Sequence, residues 1–376
     1  MRLPRHERWE LAGRRVLVRV DFNVPVSEAN GRLEVADDFR LRAALPLFED
    51  LSRRGASVVA ATHFGRPRGA HVPEFSVEPI RRRLDELGAR VQLRENLRFD
   101  AGEEANDPAF GASLVEGVDF YINEAFGASH RAHASIMVPP TLVPSAGGPN
   151  LIHEVDTLLG VLSQPRRPFV AIVGGAKVAD KLGIVKVLVE RADLVIVGGG
   201  MAYTFEAAQG RGIGSSLYNA EYLAECAALL ETGKVLIPSD TRGLPDGAAL
   251  GPGGGPLEPI DFGANIPEAH EGFDIGERSV AVFTQAIAGA GTILWNGPMG
   301  YFEDPRFLAG TAAVARAVAE SPAMSVVGGG DSVAALRRLG LQAQVSFVST
   351  GGGASLELLE FGDLPGLRAL RESPFT

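Results

Sequence analysis

The chain is short of cysteine and of long apolar runs. Its one cysteine, Cys226, excludes an intramolecular disulfide and a cysteine-cluster zinc site, so we expect a reducing, cytoplasmic environment. It has no apolar run of the roughly eighteen residues that a membrane-spanning helix needs. The N-terminal residues Met1 to His6 are charged and do not resemble a secretory signal. We therefore expect no membrane anchor.

Net positive charge is also lacking. The formal net charge is −10 at pH 7, with a balance of −1 over residues 1–150 and −9 over residues 151–376. A nucleic-acid-binding surface needs a contiguous basic patch, which this composition does not indicate. All twenty basic residues of the first half are arginine, the side chain suited to bidentate binding of a small carboxylate or phosphate ligand. An arginine-rich composition in general is the alternative explanation for most of them.

The pattern of apolar runs predicts an α/β protein. With 376 residues, 45% of them apolar, the chain is long enough for two domains. Short β-like runs alternate with longer amphipathic stretches such as Val77 to Leu87. The predicted strands are Val16 to Phe22, Ser57 to Phe64, Arg90 to Leu93, Val118 to Asn123, Phe169 to Val173, Leu194 to Val197, Lys234 to Pro238, Thr292 to Trp295, Ser325 to Val327 and Gln344 to Val348. This alternation favours two doubly wound, Rossmann-like parallel-sheet domains.

The domain boundary is predicted near the turn-rich stretch Pro139 to Pro149. A helical pattern follows from Leu151 to Leu162, and a helix that joins two domains makes a hinge plausible. We expect an N-terminal domain over residues 1–150, an interdomain helix over 151–164, a second domain over 165–355 and a C-terminal segment over 356–376. The glycine- and proline-rich stretch Asp240 to Pro267 is interpreted as a loop insertion without chemistry.

Lysine is scarce, with four lysines against thirty-two arginines, yet Lys177 and Lys181 lie four residues apart. They follow the apolar run Phe169 to Val173 and open a predicted helix. Lysine is a compact point charge that can follow a moving phosphoryl group, so the pair indicates a phosphate site at this strand end. The alternative from spacing alone is two charges on a solvated helix face.

Triple glycines end three predicted strands of the second half. They are Gly198 to Gly200, Gly328 to Gly330 and Gly351 to Gly353. Glycine lets backbone N–H groups approach a ligand, and the helix that follows adds a partial positive charge, so three such turns on one edge could hold a nucleotide. A tight strand-to-helix corner uses glycine for steric reasons alone, so a single one is weak evidence. Neither the P-loop nor the dinucleotide fingerprint is present.

Nine ordered motifs resemble those of the phosphoglycerate kinase family over nearly the whole chain. They are Arg19 to Pro25, His63 to Pro67, Glu95 to Phe99, Phe126 to His133, Gly174 to Lys181, Gly198 to Met201, Trp295 to Pro298 with Glu303, Gly328 to Ser332, and Ser349 to Ser355. The resemblance implies reversible phosphoryl transfer from 1,3-bisphosphoglycerate to ADP, which gives 3-phosphoglycerate and ATP in glycolysis and gluconeogenesis.

The resemblance also implies Mg²⁺ on the nucleotide, hinge-bending closure of the two domains and a C-terminal segment, residues 356–376, that returns to the N-terminal domain. Nothing in the sequence marks an interface, so we expect a monomer. The rival interpretations are another acyl-phosphate-forming kinase or ligase and a non-catalytic binding module. The separate arginines of the first half oppose the former, and the intact lysines and glycines oppose the latter.

By matching position, the resemblance assigns the phosphoglycerate site to the first half of the chain. The implied residues are Asp21, Phe22, Asn23, Arg40, His63, Phe64, Gly65, Arg66, Arg98, His130 and Arg131. Arg40 would reach the transferring group, although the nearby Arg42 could be confused with it. An ion pair with Glu95 or Asp100 is the structural alternative for Arg98. His130 and His133 could form a metal pair, but a phosphate contact or a core histidine is the favoured reading.

On the nucleotide side the resemblance implies catalytic roles for Lys177 and Gly352, with the N–H groups of Gly351 to Gly353 stabilising the moving phosphoryl group. The implied nucleotide-binding residues are Gly175, Ala176, Lys181, Gly199, Glu303, Gly329, Gly330, Asp331 and Ser332. Asp331 would carry Mg²⁺, and a helix N-cap is the alternative role of this aspartate.

Overall fold

A computed structural model describes residues 1–29 and 31–375. The strands of the described residues are β1 (Arg15–Arg19), β2 (Val26–Ala29), β3 (Arg32–Val35), β4 (Ser57–Ala61), β5 (Gln92–Leu93), β6 (Phe120–Asn123), β7 (Ser145–Gly147), β8 (Phe169–Val173), β9 (Leu194–Val197), β10 (Val235–Leu236), β11 (Thr241–Pro245), β12 (Ile260–Phe262), β13 (His270–Ile275), β14 (Thr292–Asn296), β15 (Met324–Gly328) and β16 (Phe347–Val348).

The α-helices alternate with these strands. They are α1 (Phe39–Arg53), α2 (Glu78–Glu86), α3 (Ala101–Glu104), α4 (Pro108–Leu114), α5 (Ala134–Met137), α6 (Pro139–Leu142), α7 (Pro149–Ser163), α8 (Leu182–Arg191), α9 (Ala202–Ala208), α10 (Leu223–Glu231), α11 (Glu277–Ala288), α12 (Ala309–Glu320), α13 (Gly330–Arg338), α14 (Gly353–Phe361) and α15 (Pro365–Arg371). None of these helices, in the residues that are described, combines the length and apolar composition needed to cross a bilayer.

The chain divides into two compact units. The first contains Met1–Leu159 and the segment that starts at Phe361, and the second is Gly160–Glu360. Helix α7 begins two residues before the predicted Leu151 and contains the point at which the first unit gives way to the second. The carboxylate of Glu124 accepts hydrogen bonds from the backbone N–H groups of Asn150 and Leu151, and so caps the start of this helix.

The first unit is built on a five-stranded sheet in the order β5-β4-β1-β6-β7, with every neighbouring pair parallel. Successive residues of β1 enter different apolar clusters: Val16 and Val18 pack with α1, whereas Leu17 packs on the other face with Tyr121 and Leu370. Both faces are therefore covered, which explains the continuous apolar run of this strand. The strand order reverses between β4 and β6, on either side of β1.

The second unit contains a six-stranded parallel sheet in the order β10-β9-β8-β14-β15-β16. Its central strand β8 is buried at all five positions, as expected of a strand with helices on both faces. The order is that of a doubly wound dinucleotide-type sheet, with its switch point between β8 and β14. The prediction of two doubly wound domains is confirmed.

The interpretation of Asp240 to Pro267 as a loop is wrong. Strands β11 and β12 lie within it and pair antiparallel with each other, and β11 also pairs with β13 to complete a three-stranded sheet. The sequence Thr-Arg-Gly-Leu-Pro of β11 contains a glycine and a proline, so it lacks the apolar alternation by which strands are recognised. Pairing with β13 supplies the stability that local propensity does not.

Helix α15 is an integral part of the first unit. Leu367 and Leu370 are fully buried, and the backbone N–H of Gly366 donates to the carbonyl of Ser129 at 2.9 Å. A Cβ atom at Gly366 would lie 3.0 Å from the Cβ of Ser129, so only glycine permits this approach without a shift. The end of the chain thus packs beside the segment that leads to His130.

Glu206, on α9, is a buried acid that weakens the second unit at neutral pH. It is 2% exposed, and Oε1 has no hydrogen-bond partner among the described residues. Burial raises the pKa of this carboxyl from 4.5 to about 7, against the opposing charge of Arg211. The carboxyl ionises at a lower pH in the unfolded state than in the folded state. The free energy of unfolding therefore falls as pH rises from about 4.5 to about 7, and above that range this loss is complete.

We expect Glu206→Leu to be more stable than the wild type at pH 8, by on the order of 3 kcal/mol, with the difference disappearing near pH 4. Urea unfolding monitored by circular dichroism from pH 4 to pH 8 measures this difference. Glu231→Leu, which replaces an exposed glutamate at the end of α10, is the matched control. A pH-independent difference between Glu206→Leu and the wild type would show that the carboxyl is not the cause.

Candidate active site

In the first unit, the predicted site residues lie at the carboxyl edge of the parallel sheet. Asp21 and Asn23 follow β1, His63 to Arg66 follow β4, Arg98 follows β5, and His130 and Arg131 follow β6. Because the carboxyl ends of parallel strands meet at one edge, side chains far apart in sequence come together there. We call Asp21, Asn23, Arg40, His63, Arg66, Arg98, His130 and Arg131 the basic cluster.

Arg40 is held at this edge by the loop that follows β1. Its Nη1 lies 2.9 Å from Oδ2 of Asp21 and donates to the carbonyl of Asn23 at 3.3 Å. Arg42, two residues later on α1, instead places Nε 2.9 Å from Oδ1 of Asp38. The two arginines therefore serve different neighbours, and Arg40 is the one beside the strand ends.

A buried asparagine organises the next part of the cluster. Oδ1 of Asn96 accepts hydrogen bonds from the backbone N–H groups of Phe64 and Arg98, both at 3.1 Å, and its Nδ2 donates to the carbonyl of Phe64 at 2.6 Å. The side chain of Asn23 in turn accepts from the N–H of Gly65 at 3.0 Å. The loops after β1, β4 and β5 are thus fixed to one another before any ligand binds.

Arg98 is buried in spite of its charge. Its Nη1 donates to the carbonyl of Gly65 at 2.7 Å, and its Nε lies 3.2 Å from Oε1 of Glu104. The predicted structural alternative, an ion pair with Glu95 or Asp100, is wrong: Glu95 accepts from the N–H groups of Val77 and Asn96. The guanidinium is therefore held by one carbonyl and one half-exposed carboxylate.

Two histidines at this edge, His63 of the basic cluster and the neighbouring His133, are neutral at physiological pH. Burial, followed by the charges of Arg19, Arg98 and Arg131, holds the pKa of His63 well below its ordinary value. Burial and the same arginines lower the pKa of His133 to about 4. The fixed positive charge at this edge therefore comes from the guanidinium groups, and the histidines are available as neutral hydrogen-bonding groups.

His130 contacts its neighbour Arg131. Among residues 1–29 and 31–375, no group of three or more His, Cys, Asp or Glu side chains could hold a metal ion. Nε2 of His130 instead accepts a hydrogen bond from Nε of Arg131 at 3.2 Å. A guanidinium can only donate, so the site has the character of an anion site.

In the second unit, Lys181 lies at the switch point between β8 and β14. Its Nζ donates to the carbonyl of Gly174 at 2.5 Å and to Oδ1 of Asn296 at 2.8 Å, which ties the ends of the two strands together. Burial lowers the pKa of Lys181 to about 8, against the nearby charges of Asp331 and Asp180. A Cβ at Gly174 would lie 1.9 Å from the carbonyl oxygen of Pro298, so glycine is required here.

Lys177 has a different environment. It is exposed, and its ammonium group makes no hydrogen bond or ion pair within the described part of the chain. Both lysines precede α8, which begins at Leu182, so the interpretation as charges on a solvated helix face is wrong. One lysine is therefore built into the strand ends and the other is free to reach a ligand.

The three triple glycines lie at the same carboxyl edge, after β9, β15 and β16. Gly329 is the N-cap of α13, with no side-chain hydrogen bond, and Asp331 lies in the first turn of that helix. The interpretation of Asp331 as an N-cap is therefore wrong. The hydroxyl of Ser332 is buried between the N–H of Gly297 at 2.6 Å and the carbonyl of Gly328 at 2.8 Å.

A cavity of ≈ 360 Å³ opens at this edge of the second unit. It is lined by Gly175, Ala176, Gly199, Gly200, Tyr203, Ser216, Leu217, Leu250, Glu271, Gly272, Phe273, Pro298, Gly300, Tyr301, Glu303 and Asp331. The residues that line the cavity include glycines, such as Gly199 and Gly200, and large apolar side chains, such as Leu217 and Leu250. Such a wall suits a ligand with a flat apolar portion and a charged portion.

Comparisons with known proteins agree over nearly the full length. The model of the phosphoglycerate kinase family matches residues 7–94 and 88–361. The chain is 47% identical to the phosphoglycerate kinase of Rubrobacter xylanophilus over 391 residues, with 96% of this chain and 97% of that protein covered. The chain belongs to the phosphoglycerate kinase family.

Solved structures of the family show the same fold. The phosphoglycerate kinase of Coxiella burnetii matches with a TM-score of 0.87 and 35% identity, over 99% of both chains. That of Pyrococcus horikoshii matches with a TM-score of 0.81 and 30% identity, over 98% of both chains. The resemblance stated from the sequence motifs is thus confirmed at the level of the family and the fold.

The sequence motifs did not identify the apolar part of the phosphoglycerate kinase cavity. Leu217, Leu250 and Tyr301 line it and are 50%, 40% and 38% exposed. They come from three separate segments, and only their exposure marks them, because large apolar side chains are usually buried. A second group that the motifs missed, Glu103 and Ser135, lies behind the basic cluster.

Proposed function

We propose that the basic cluster of the first unit binds 3-phosphoglycerate and 1,3-bisphosphoglycerate, and that the glycine-rich edge of the second unit binds ADP and ATP. The chain is a kinase of the phosphoglycerate kinase family, and the reaction of that family is reversible phosphoryl transfer between these two pairs of substrates. The assignment of residues to the two substrates is supported by the distribution of the basic side chains. Arginines lie at the carboxyl edge of the sheet in the first unit, and lysines lie at the carboxyl edge of the sheet in the second unit.

Arginine and lysine suit different tasks in this reaction. The guanidinium groups of Arg40, Arg66, Arg98 and Arg131 offer planar pairs of donors for the carboxylate and phosphate of a small polyanion. Asn23, His63 and Gly65 extend the same edge with neutral groups. Asp21 orients Arg40, and the backbone of Phe22 and Phe64 is fixed by Thr62 and Asn96.

On the nucleotide side, the apolar wall of the cavity suits a purine, and Glu303 suits ribose hydroxyls. The glycines Gly175, Gly199, Gly329 and Gly330 allow phosphates to approach the backbone. Asp331 is exposed at the start of α13 and lines the cavity, so its carboxylate is available for a hard cation. This fits Mg²⁺ bound mainly through nucleotide phosphates, where the metal would neutralise developing charge.

Lysine ammonium groups and backbone N–H groups would stabilise the phosphoryl group during its transfer. Lys177 is free to follow the phosphoryl group. Gly352 immediately precedes α14 and Gly353 is its first residue, so their N–H groups have no intrahelical acceptor and can point at a ligand. The N–H of Gly351 donates to the hydroxyl oxygen of Ser349 at 3.2 Å and would have to exchange that partner for the phosphoryl group. The acceptor in the ATP-consuming direction is a carboxylate that is already ionised, so no general base is needed. Transfer in line requires the two bound substrates to meet, and we infer closure of the two domains about α7.

The test is formation of ATP from 1,3-bisphosphoglycerate and ADP in the presence of Mg²⁺, with acetyl phosphate as the alternative donor. We expect turnover with 1,3-bisphosphoglycerate only, because acetyl phosphate lacks the second phosphate that the arginines would hold. Equal turnover with acetyl phosphate would favour another acyl-phosphate kinase. Nucleotide binding without any turnover would favour a binding module. We further propose that the chain is a cytoplasmic monomer, and size-exclusion chromatography tests the monomeric state.

A further inference from the structure

A directed chain of hydrogen bonds lies behind the basic cluster. Oε1 of Glu103 accepts a hydrogen bond from the hydroxyl of Ser135 at 2.7 Å, and Oε2 accepts from the N–H of the same serine at 2.9 Å. The Ser135 hydroxyl in turn accepts from Nε of Arg19 at 2.8 Å. Nη2 of Arg19 lies 3.2 Å from Nδ1 of His63. The chain thus runs from a buried carboxylate to a ring of the proposed substrate site.

The guanidinium group of Arg19 makes all of its contacts within the protein. It is 1% exposed, and its three nitrogens contact Ser135, the carbonyl of Val20 and His63. Its charge is balanced by Glu103, which is 0% exposed and lies 3.9 Å from Nη2. Removal of either partner would leave the other as a buried, uncompensated charge. Arg19 is therefore placed to act through His63 and not on a ligand.

The direction of the last hydrogen bond determines the state of the His63 ring. A guanidinium has donors only, so Nδ1 of His63 must be the acceptor and cannot carry a proton. A neutral imidazole then carries its proton on Nε2, and that N–H is a donor for an anionic oxygen. Without Arg19 in this position, either nitrogen could carry the proton, and only one tautomer offers the donor.

We propose that Glu103, Ser135 and Arg19 are positioning residues that hold His63 in the Nε2–H tautomer, as a ready hydrogen-bond donor to the phosphoglycerate. The role in binding rests on the proposed function of the basic cluster. The tautomer itself does not, since it follows from the contacts of the protein alone. Tyr121, whose buried hydroxyl donates to the carbonyl of Ser135 at 2.8 Å, fixes the backbone of the serine.

The direct test is the ring tautomer of His63 in substrate-free protein labelled with ¹⁵N-histidine, with the spectrum of His63→Gln used for assignment. We expect the wild type to show only the Nε2–H form. Ser135→Ala removes the acceptor of Arg19 Nε and should add a population of the Nδ1–H form. A wild-type spectrum with the proton on Nδ1 overturns the proposal whether or not any variant folds.

Steady-state kinetics supplies the second readout. If His63 binds the substrate equally in the ground and transition states, Ser135→Ala should raise KM for 3-phosphoglycerate about tenfold and change kcat little. Ser145→Ala is the matched control, because Ser145 is also buried in the first unit and its hydroxyl donates only to the nearby carbonyl of Val143, at 2.8 Å.

The outcomes separate the two proposals. A merely structural role would lower the unfolding temperature in both serine variants without a change in the tautomer or a selective rise in KM. An unchanged tautomer in folded Ser135→Ala, or an equal rise in KM for Ser145→Ala, would refute the positioning role. A wild type that shows the Nε2–H form but no turnover of 3-phosphoglycerate would refute the proposed function and leave the tautomer assignment intact.

Discussion

Lys177→Ala is expected to lower kcat by at least about a hundredfold while nucleotide Kd stays within about tenfold. The reason is the exposed, unpaired ammonium group at the end of β8, which nothing in the described residues restrains. A free point charge can stabilise charge that develops on the moving phosphoryl group, and such stabilisation appears in kcat. Steady-state kinetics together with titration calorimetry of ADP separates the two effects.

Substitutions of two other lysines provide comparisons for Lys177→Ala. Lys181→Ala should raise nucleotide Kd more than Lys177→Ala does, because Lys181 also joins the ends of β8 and β14 through Gly174 and Asn296. Lys186→Ala removes an exposed lysine that pairs with Glu225, so it should leave both constants unchanged. Equal losses of kcat and affinity in Lys177→Ala would show that this lysine binds the nucleotide in all states.

The second large effect is expected for Arg40→Ala, which should reduce kcat far more than it raises KM for 3-phosphoglycerate, again by at least about a hundredfold. Arg40 is the half-buried arginine beside the loop that follows β1, and Asp21 presets its orientation at 2.9 Å. Arg40→Lys should restore activity only in part, because an ammonium group cannot reproduce a planar pair of donors.

Arg42→Ala is the matched control for this prediction. Arg42 lies one half-turn further along α1 and pairs with Asp38 at the surface, so its removal should change kcat little. Both variants are measured with saturating nucleotide and varied 3-phosphoglycerate. If Arg42→Ala proves the more damaging change, the assignment of Arg40 to the transferring group is wrong.

The alternation of apolar runs with amphipathic stretches was enough to predict the two parallel sheets, and short, ordered motifs were enough to predict the family. The motifs coincide with strand ends, where glycine and a few charged residues are required by geometry, so they stand out against the composition. The lysine pair is an example: only four lysines occur in the chain, and two of them lie in the segment between β8 and α8. The carboxyl end of a strand in a parallel sheet can thus be predicted from sequence when it carries a residue type that is rare in the chain.

The parts that were missed depend on contacts distant in sequence. Ser135 lies 116 residues from Arg19 and 32 from Glu103, and in the sequence neither Ser135 nor Glu103 differs from an ordinary surface residue. The antiparallel sheet of β11 to β13 was missed because β11 takes its stability from cross-strand pairing. Such features follow from tertiary context and leave no local pattern in the chain.

The tail that contains α15 has a consequence for synthesis of the protein. Leu367 and Leu370 are buried in a unit whose other residues end at Leu159, whereas the second unit is continuous from Gly160 to Glu360. During translation, the residues of α15 are made only after the whole second unit, so the first unit lacks part of its core until then. We therefore expect the first unit to finish folding no earlier than the second, although most of it is synthesised first.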